Sequence, residues 1–243
     1  METLRVGKSS GEAVTGPDPS WRGLYRAGGV SAVLFVVLTF AVPVVLGFIT
    51  PMPPSAGGAA TLASGVTTLQ YIASHRSVFI LNQVLFFGPG ILAIVAFLAL
   101  YMALKHLNKS YAAIGAVVAI TSQVLYLFTF SIVFGLVYLS DLYVAAITAA
   151  QRAALATTAE GLIAQYNAVS AAGILFNIGI LIVSLVMLKG VFHKGVAYLG
   201  IITGTLGIIS EALRPILGVG YAVYGVLFLI WLIAVGWKLY RLA

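Results

Sequence analysis

Apolar residues in this chain come in long unbroken runs, with polar residues gathered between them. About twenty apolar residues in helical form cross about 30 Å of hydrocarbon. The pattern predicts six such helices, at 27–49, 77–104, 111–139, 160–188, 196–214 and 217–238. Membrane barrel strands would instead alternate apolar and polar positions over about ten residues. The expected fold is therefore all-α, a polytopic six-helix transmembrane bundle. Residues 1–26 (with KSSGEAVTGPDPS) read as a flexible polar tail, and 27–241 as a single membrane domain.

Punctuation inside the runs refines this picture. Pro43 is expected to bend the first helix, and Pro89, in FFGPGIL, to kink the second, as a static bend or as a hinge. Thr157-x-x-Glu160 has the form of a capping box and is expected to start the fourth helix in water. Two long links remain, 50–76 and 140–159. In the first, Leu62, Val66, Leu69 and Ile72 follow helical spacing; the second is alanine-rich around Arg152. Both read as short helices lying at a membrane interface, as simple caps of the bundle or as a lid.

Composition agrees with the pattern: 61% of residues are hydrophobic and 8% charged. Soluble domains carry about 25% charged residues, so an ordinary globular fold is excluded. The net charge of +7 does not point to nucleic acid, because the Lys and Arg residues sit at the ends of apolar runs. Their distribution orients the chain through the positive-inside rule. With the N-terminus in the cytoplasm, inside segments collect Arg5, Lys8, Arg22, Arg26, Lys105, Lys109, Lys189, Lys194, Lys238 and Arg241, and outside segments keep Arg76, Arg152 and Arg214. Both termini are expected on the cytoplasmic side of a cell membrane.

Ionisable groups inside a membrane are costly and become functional candidates by default. Glu211 and Arg214, in SEALRP, are three residues apart on one helix face near the outer end of the fifth helix. Gly200, Gly204 and Gly207 continue that face, and small residues let another helix approach closely. Glu211 is thus expected to point into the bundle. Other helices bring polar groups to the same depth: Asn82 and Gln83, Tyr126 and Thr129 with Ser122 below, Gln165 and Asn167, Tyr221 and Tyr224. The inner half reads as nearly pure aliphatic. Two readings stand side by side, a polar outward-facing ligand cavity around Glu211 and ordinary interhelical hydrogen bonding.

Catalytic patterns are missing. The chain has no cysteine, and His75, His106 and His193 fall at loops on both sides of the membrane. No metal site and no cofactor are expected.

The six helices, together with the run LFNIGILIVSLVMLKGVFHKGVAYLGIITGTLGII at 175–209, resemble a prokaryotic integral membrane family known only as a domain of unknown function. The resemblance covers most of 20–241. It implies the six-helix fold and brings no activity, ligand or catalytic residue. The functional expectation is a membrane protein that binds or moves a small or amphipathic ligand, with membrane lipids around it. A non-catalytic subunit packed against partner membrane proteins is the alternative, and a lipid-modifying enzyme using Glu211 the third reading.

Overall fold

Within hydrocarbon a backbone can satisfy its own polar groups only by forming helices or a closed barrel. The computed structural model describes residues 16–42, 64–217 and 220–243, and no strand occurs among the described residues. Among the described residues, six helical spans are long and apolar enough to cross a membrane: Pro19–Ala41, Arg76–Leu104, Lys109–Ala145, Ala149–Met187, Lys194–Ala212 and Tyr221–Arg241. The six-helix bundle expected from the hydrophobic pattern is present. The bend at Pro43 lies outside the described residues.

Several spans are interrupted, and the elements are numbered accordingly. α1 (Arg22–Val36) follows one tight turn, Pro19–Trp21, and widens into a π-helical turn at Val37–Ala41. α2 (Gly65–Ser74) precedes α3 (Arg76–Phe87) and α4 (Gly90–Leu104), which are the two halves of the second span. α5 (Lys109–Ala145) is continuous, whereas the fourth span divides into α6 (Ala149–Ala168) and α7 (Ser170–Met187). α8 (Lys194–Ala212), the single turn α9 (Arg214–Leu217) and α10 (Tyr221–Arg241) complete the chain.

The spans close into a ring. α1 packs between α4 and α10, and contacts continue from α4 to α5, α5 to α7, α7 to α8 and α8 back to α10. Aromatic rings fill the middle: Phe176 lies 5.4 Å from Phe97 and 5.6 Å from Phe228 between ring centroids. Trp231, Leu100 and Ile180 are fully buried beside them. Around the ring, glycines allow backbones to touch. A Cβ on Gly29 would fall 2.7 Å from the Gly236 carbonyl oxygen, and one on Gly236 would fall 2.9 Å from that of Gly29. Gly179 meets Gly115 and Ala119 in the same way, joining α7 to α5. The small-residue face of α8 lies on α7: Gly200 on Ser184, Gly204 on Leu181 and Asn177, Gly207 on Asn177.

One end of the ring carries Arg22, Arg26, Lys105, Lys109, Lys189, Lys194, Lys238 and Arg241. The chain becomes helical there earlier than the hydrophobic run suggests, at Arg22 rather than 27. Asp18 accepts the Ser20 backbone N–H at 2.9 Å, and this bond holds its carboxyl below the usual carboxylate range. Lys105 sits 5.4 Å over the Trp21 ring and Arg26 5.7 Å over Tyr240, so long basic stems cover apolar surface at the bundle end.

At the far end the structure departs most from the sequence pattern. α5 has 37 residues, about 55 Å of helix at 1.5 Å per residue, well beyond a hydrocarbon core. The segment 140–159, expected as a long link, is almost wholly helical; only Ala146, Ile147 and Thr148 separate α5 from α6. The fourth span starts at Thr148, whose side chain accepts the Gln151 N–H in a capping box. The box expected at Thr157 and Glu160 does not form, because both lie inside α6. Thr157 donates back to the Ala153 carbonyl at 3.1 Å. Glu160 instead accepts the Gly65 N–H at 3.3 Å and so serves the first turn of α2. Val66, Leu69 and Ile72 do fall on one helix, α2, while Leu62 lies outside the described residues, and α2 packs between α5 and α6. Leu69 and Ile72 are buried there with Val133, Val137, Ala159 and Ile163, a second core separate from the one inside the ring. Arg76 and Asp141 pair at 2.8 Å beside it.

The glycine contacts yield a test. A Cβ at Gly204 would stand 2.8 Å from the Leu181 backbone nitrogen and 2.9 Å from the Asn177 carbonyl oxygen, neither of which can yield alone. Overpacking of this kind costs about 1–3 kcal/mol. Gly204→Ala should lower the melting temperature of the detergent-solubilised protein, followed by circular dichroism. Gly161, in α6 with nothing within 4 Å of its missing Cβ, is the control; Gly161→Ala should be neutral or slightly stabilising.

Candidate ligand site at Glu211

Glu211 ends the small-residue face of α8, one helical turn beyond Gly207. It is buried because α7 leaves room only for a side chain lying on glycine. A Cβ at Gly173 would meet the Glu211 carboxyl carbon and Oε1 at 2.7 Å. The carboxylate receives one hydrogen bond, from the Tyr221 hydroxyl to Oε1 at 2.5 Å. Its other oxygen, Oε2, is buried without a hydrogen-bond partner among the described residues. Arg214 stands 3.9 Å from it, close enough to balance charge and too far to hydrogen-bond. The guanidinium lies instead over the Tyr221 ring, 5.2 Å from its centroid. The two ions are unequally buried, with side chains 4% and 37% exposed for Glu211 and Arg214.

Tyrosines surround this pair. Tyr224 is buried beside Tyr221, with ring centroids 5.5 Å apart, and its hydroxyl approaches the Asn177 amide. Tyr126, half-buried on α5, lies within the field of Glu211, Tyr224 and Arg214. Phe87 links it to α6, 6.2 Å from the Tyr126 ring and 5.8 Å from that of Tyr166. Tyr166 in turn donates to Gln83 Oε1 at 3.1 Å. Asn177 donates through Nδ2 to the Gly173 carbonyl at 2.8 Å, and its Oδ1 is buried with no partner.

The site residues expected from sequence are thus only partly gathered. Glu211, Arg214, Tyr221, Tyr224 and Tyr126 share one neighbourhood, and Gln83 joins its edge through Tyr166. Asn82 is half-buried with no hydrogen bond to this group, and Thr129 is buried with its hydroxyl unpartnered. Gln165 and Asn167 are exposed. Tyr166 between them is the residue that faces in, since neighbours on a helix lie about 100° apart. Asn177 is the other residue the sequence reading did not select. Its signal was present, since a lone asparagine in the apolar run of 171–188 needs an internal partner. Nor is the basic half of the bundle purely aliphatic: Ser184, Thr203 and the Trp231 indole nitrogen are buried there.

The same layer is where helices break. Measured from the basic end at about 1.5 Å per residue, Pro89, Val169, Glu211, Tyr126 and Tyr224 all lie between about 22 and 27 Å. Pro89 has no N–H, and α4 restarts through the Leu92 N–H to Pro89 carbonyl bond at 2.8 Å. Gln123 is buried against Gly90 at this bend. The break at Val169 has no proline, and the sequence pattern carried no sign of it. α8 stops at Ala212, and Leu213 turns the chain into α9. Discontinuous helices of this kind expose backbone groups inside a bundle and commonly frame ligand sites in membrane proteins.

No known protein family, no curated protein and no solved structure matches the chain. The resemblance noted from sequence therefore adds nothing to the site, which is read from its own geometry.

Removing the hydroxyl that holds Oε1 leaves a buried carboxylate without any hydrogen bond, at a cost of about 1–3 kcal/mol. Tyr221→Phe should lower the melting temperature accordingly. Tyr138→Phe, at a tyrosine 63% exposed, should leave it unchanged.

Proposed function

We propose that this chain is a multi-pass membrane protein that binds or transports a small or amphipathic ligand at the polar layer around Glu211. The observation that supports this most directly is the incomplete pairing of Glu211. A buried carboxylate with one unpartnered oxygen, 3.9 Å from a half-exposed arginine, is poorly compensated as it stands. A structural ion pair would gain by closing that gap. A binding site keeps it open for a ligand. The coincidence of this layer with three helix breaks supports the same reading. The alternative of an accessory subunit would favour small residues on the lipid-facing surface. Here Gly28, Gly29, Gly173, Gly179, Gly200, Gly204, Gly207 and Gly236 are used in contacts within the chain, while Gly23 and Gly225 face open space.

We place the basic end, with both termini, in the cytoplasm and the Glu211 layer toward the outer face of a cell membrane, from the distribution of Lys and Arg.

Native mass spectrometry of the protein extracted with its lipids tests the binding reading. An added mass that is lost in Glu211→Gln is expected; an unliganded wild type that matches the variant would overturn it. Orientation is tested by single-cysteine labelling, since the chain has no cysteine of its own. A membrane-impermeant maleimide should label Ala153→Cys in intact cells, and Lys189→Cys only after permeabilisation. The reverse pattern would invert the topology.

A further inference from the structure

We infer that the ligand of this site is a short zwitterion, its ammonium group directed to Glu211 and its acidic group to Arg214; this rests on the binding reading above. Among the described residues, Tyr221 and Arg214 are the polar groups acting on the Glu211 carboxylate, and together Glu211 and Arg214 are neutral. An incoming metal cation or simple anion would leave one net charge in a low-dielectric layer, which is strongly disfavoured. A zwitterion leaves none.

Geometry narrows it further. The Glu211 Oε2 to Arg214 guanidinium distance of 3.9 Å matches the separation of opposite charges a few bonds apart, so a short zwitterion can lie antiparallel to this pair. Oε2 is the unpartnered acceptor that an ammonium N–H would fill. Tyr221, Tyr224 and Tyr126 supply aromatic surface of the kind that stabilises ammonium groups.

Access follows from unequal burial. Glu211 is deep, while Arg214 is 37% exposed and flanked by exposed Leu213 and Ile216. Its guanidinium is therefore the pole of the pair that a ligand meets first. Arg214 also lies one turn further from the basic end than Glu211, so the ligand enters ammonium first from the far end. A lipid of the phosphatidylethanolamine type offers the same chemistry with its poles reversed along that axis, which points to a soluble source.

The test measures melting temperature of the full chain in detergent with millimolar β-alanine, with ethylamine, and with propionate, and separately in nanodiscs containing phosphatidylethanolamine or phosphatidylglycerol. β-Alanine should raise it by about 3 °C or more near saturation, with ethylamine and propionate each giving less than half that shift. Arg214→Gln, at a half-exposed position, should fold and lose the response; Glu211→Gln should lose it as well. A response to phosphatidylethanolamine alone, whose poles run the opposite way, overturns the inference. Equal responses to ethylamine or propionate alone, or none to any zwitterion, overturn the inference. If native mass spectrometry still finds a Glu211-dependent adduct in that case, the binding reading survives without it.

Discussion

Lipid tails are as apolar as a leucine side chain, so helices in a bilayer gain little by merely hiding apolar surface from one another and must fit closely instead. In this protein that requirement falls hardest on α7 and α8. Gly200, Gly204 and Gly207 bring the two backbones together along a seam that ends where Glu211 lies on Gly173. The position of the carboxylate is a consequence of this contact. Were the helices a side chain further apart, Glu211 would have space for water or lipid and Asn177 would lose its place against Gly207. The reciprocal pair Gly29 and Gly236 closes the ring on the opposite side and holds α10, with Tyr221 and Tyr224, against the same layer.

The layer itself sets two costs against each other. Burying a carboxylate is expensive, and a hydrogen bond from Tyr221 with a distant arginine offsets only part of that expense. Breaks at Pro89, Val169 and Leu213 interrupt the helices in the same region. A bundle selected for stability alone would avoid both. Sites where local rules are broken together are where function is expected to reside, and this reasoning supports ligand binding over simple packing.

The far-end lobe shows a different economy. α5 and α6 continue past the bilayer thickness as a helical hairpin, and α2 completes it with its own small core. Glu160 ties α2 to α6 and Arg76 pairs with Asp141, so the few charges of this lobe are used at its joints. The lobe grows out of the third, fourth and second spans, and it is thus mechanically continuous with the helices that carry Tyr126, Tyr166 and Gln83.

Hydrophobic run length alone determined that the chain forms six membrane-length helices, because backbone satisfaction in hydrocarbon leaves no other solution for such runs. The spacing of Gly200, Gly204, Gly207 and Glu211 likewise determined that the carboxylate faces a neighbouring helix. What sequence could not determine was which residue on each helix turns inward. Periodicity has no contrast when every face is apolar, so Gln165 and Asn167 looked as suited to the layer as Tyr166, and Asn177 was passed over. Helix ends beyond the bilayer were hidden for the same reason: 140–159 is alanine-rich and equally at ease as link or helix, and packing against α2 decides the matter. The choice of Glu160 to cap α2 instead of its own helix, the break at Val169, and the unclosed gap between Glu211 and Arg214 depend on distances between segments far apart in the chain, and those are decided by tertiary packing.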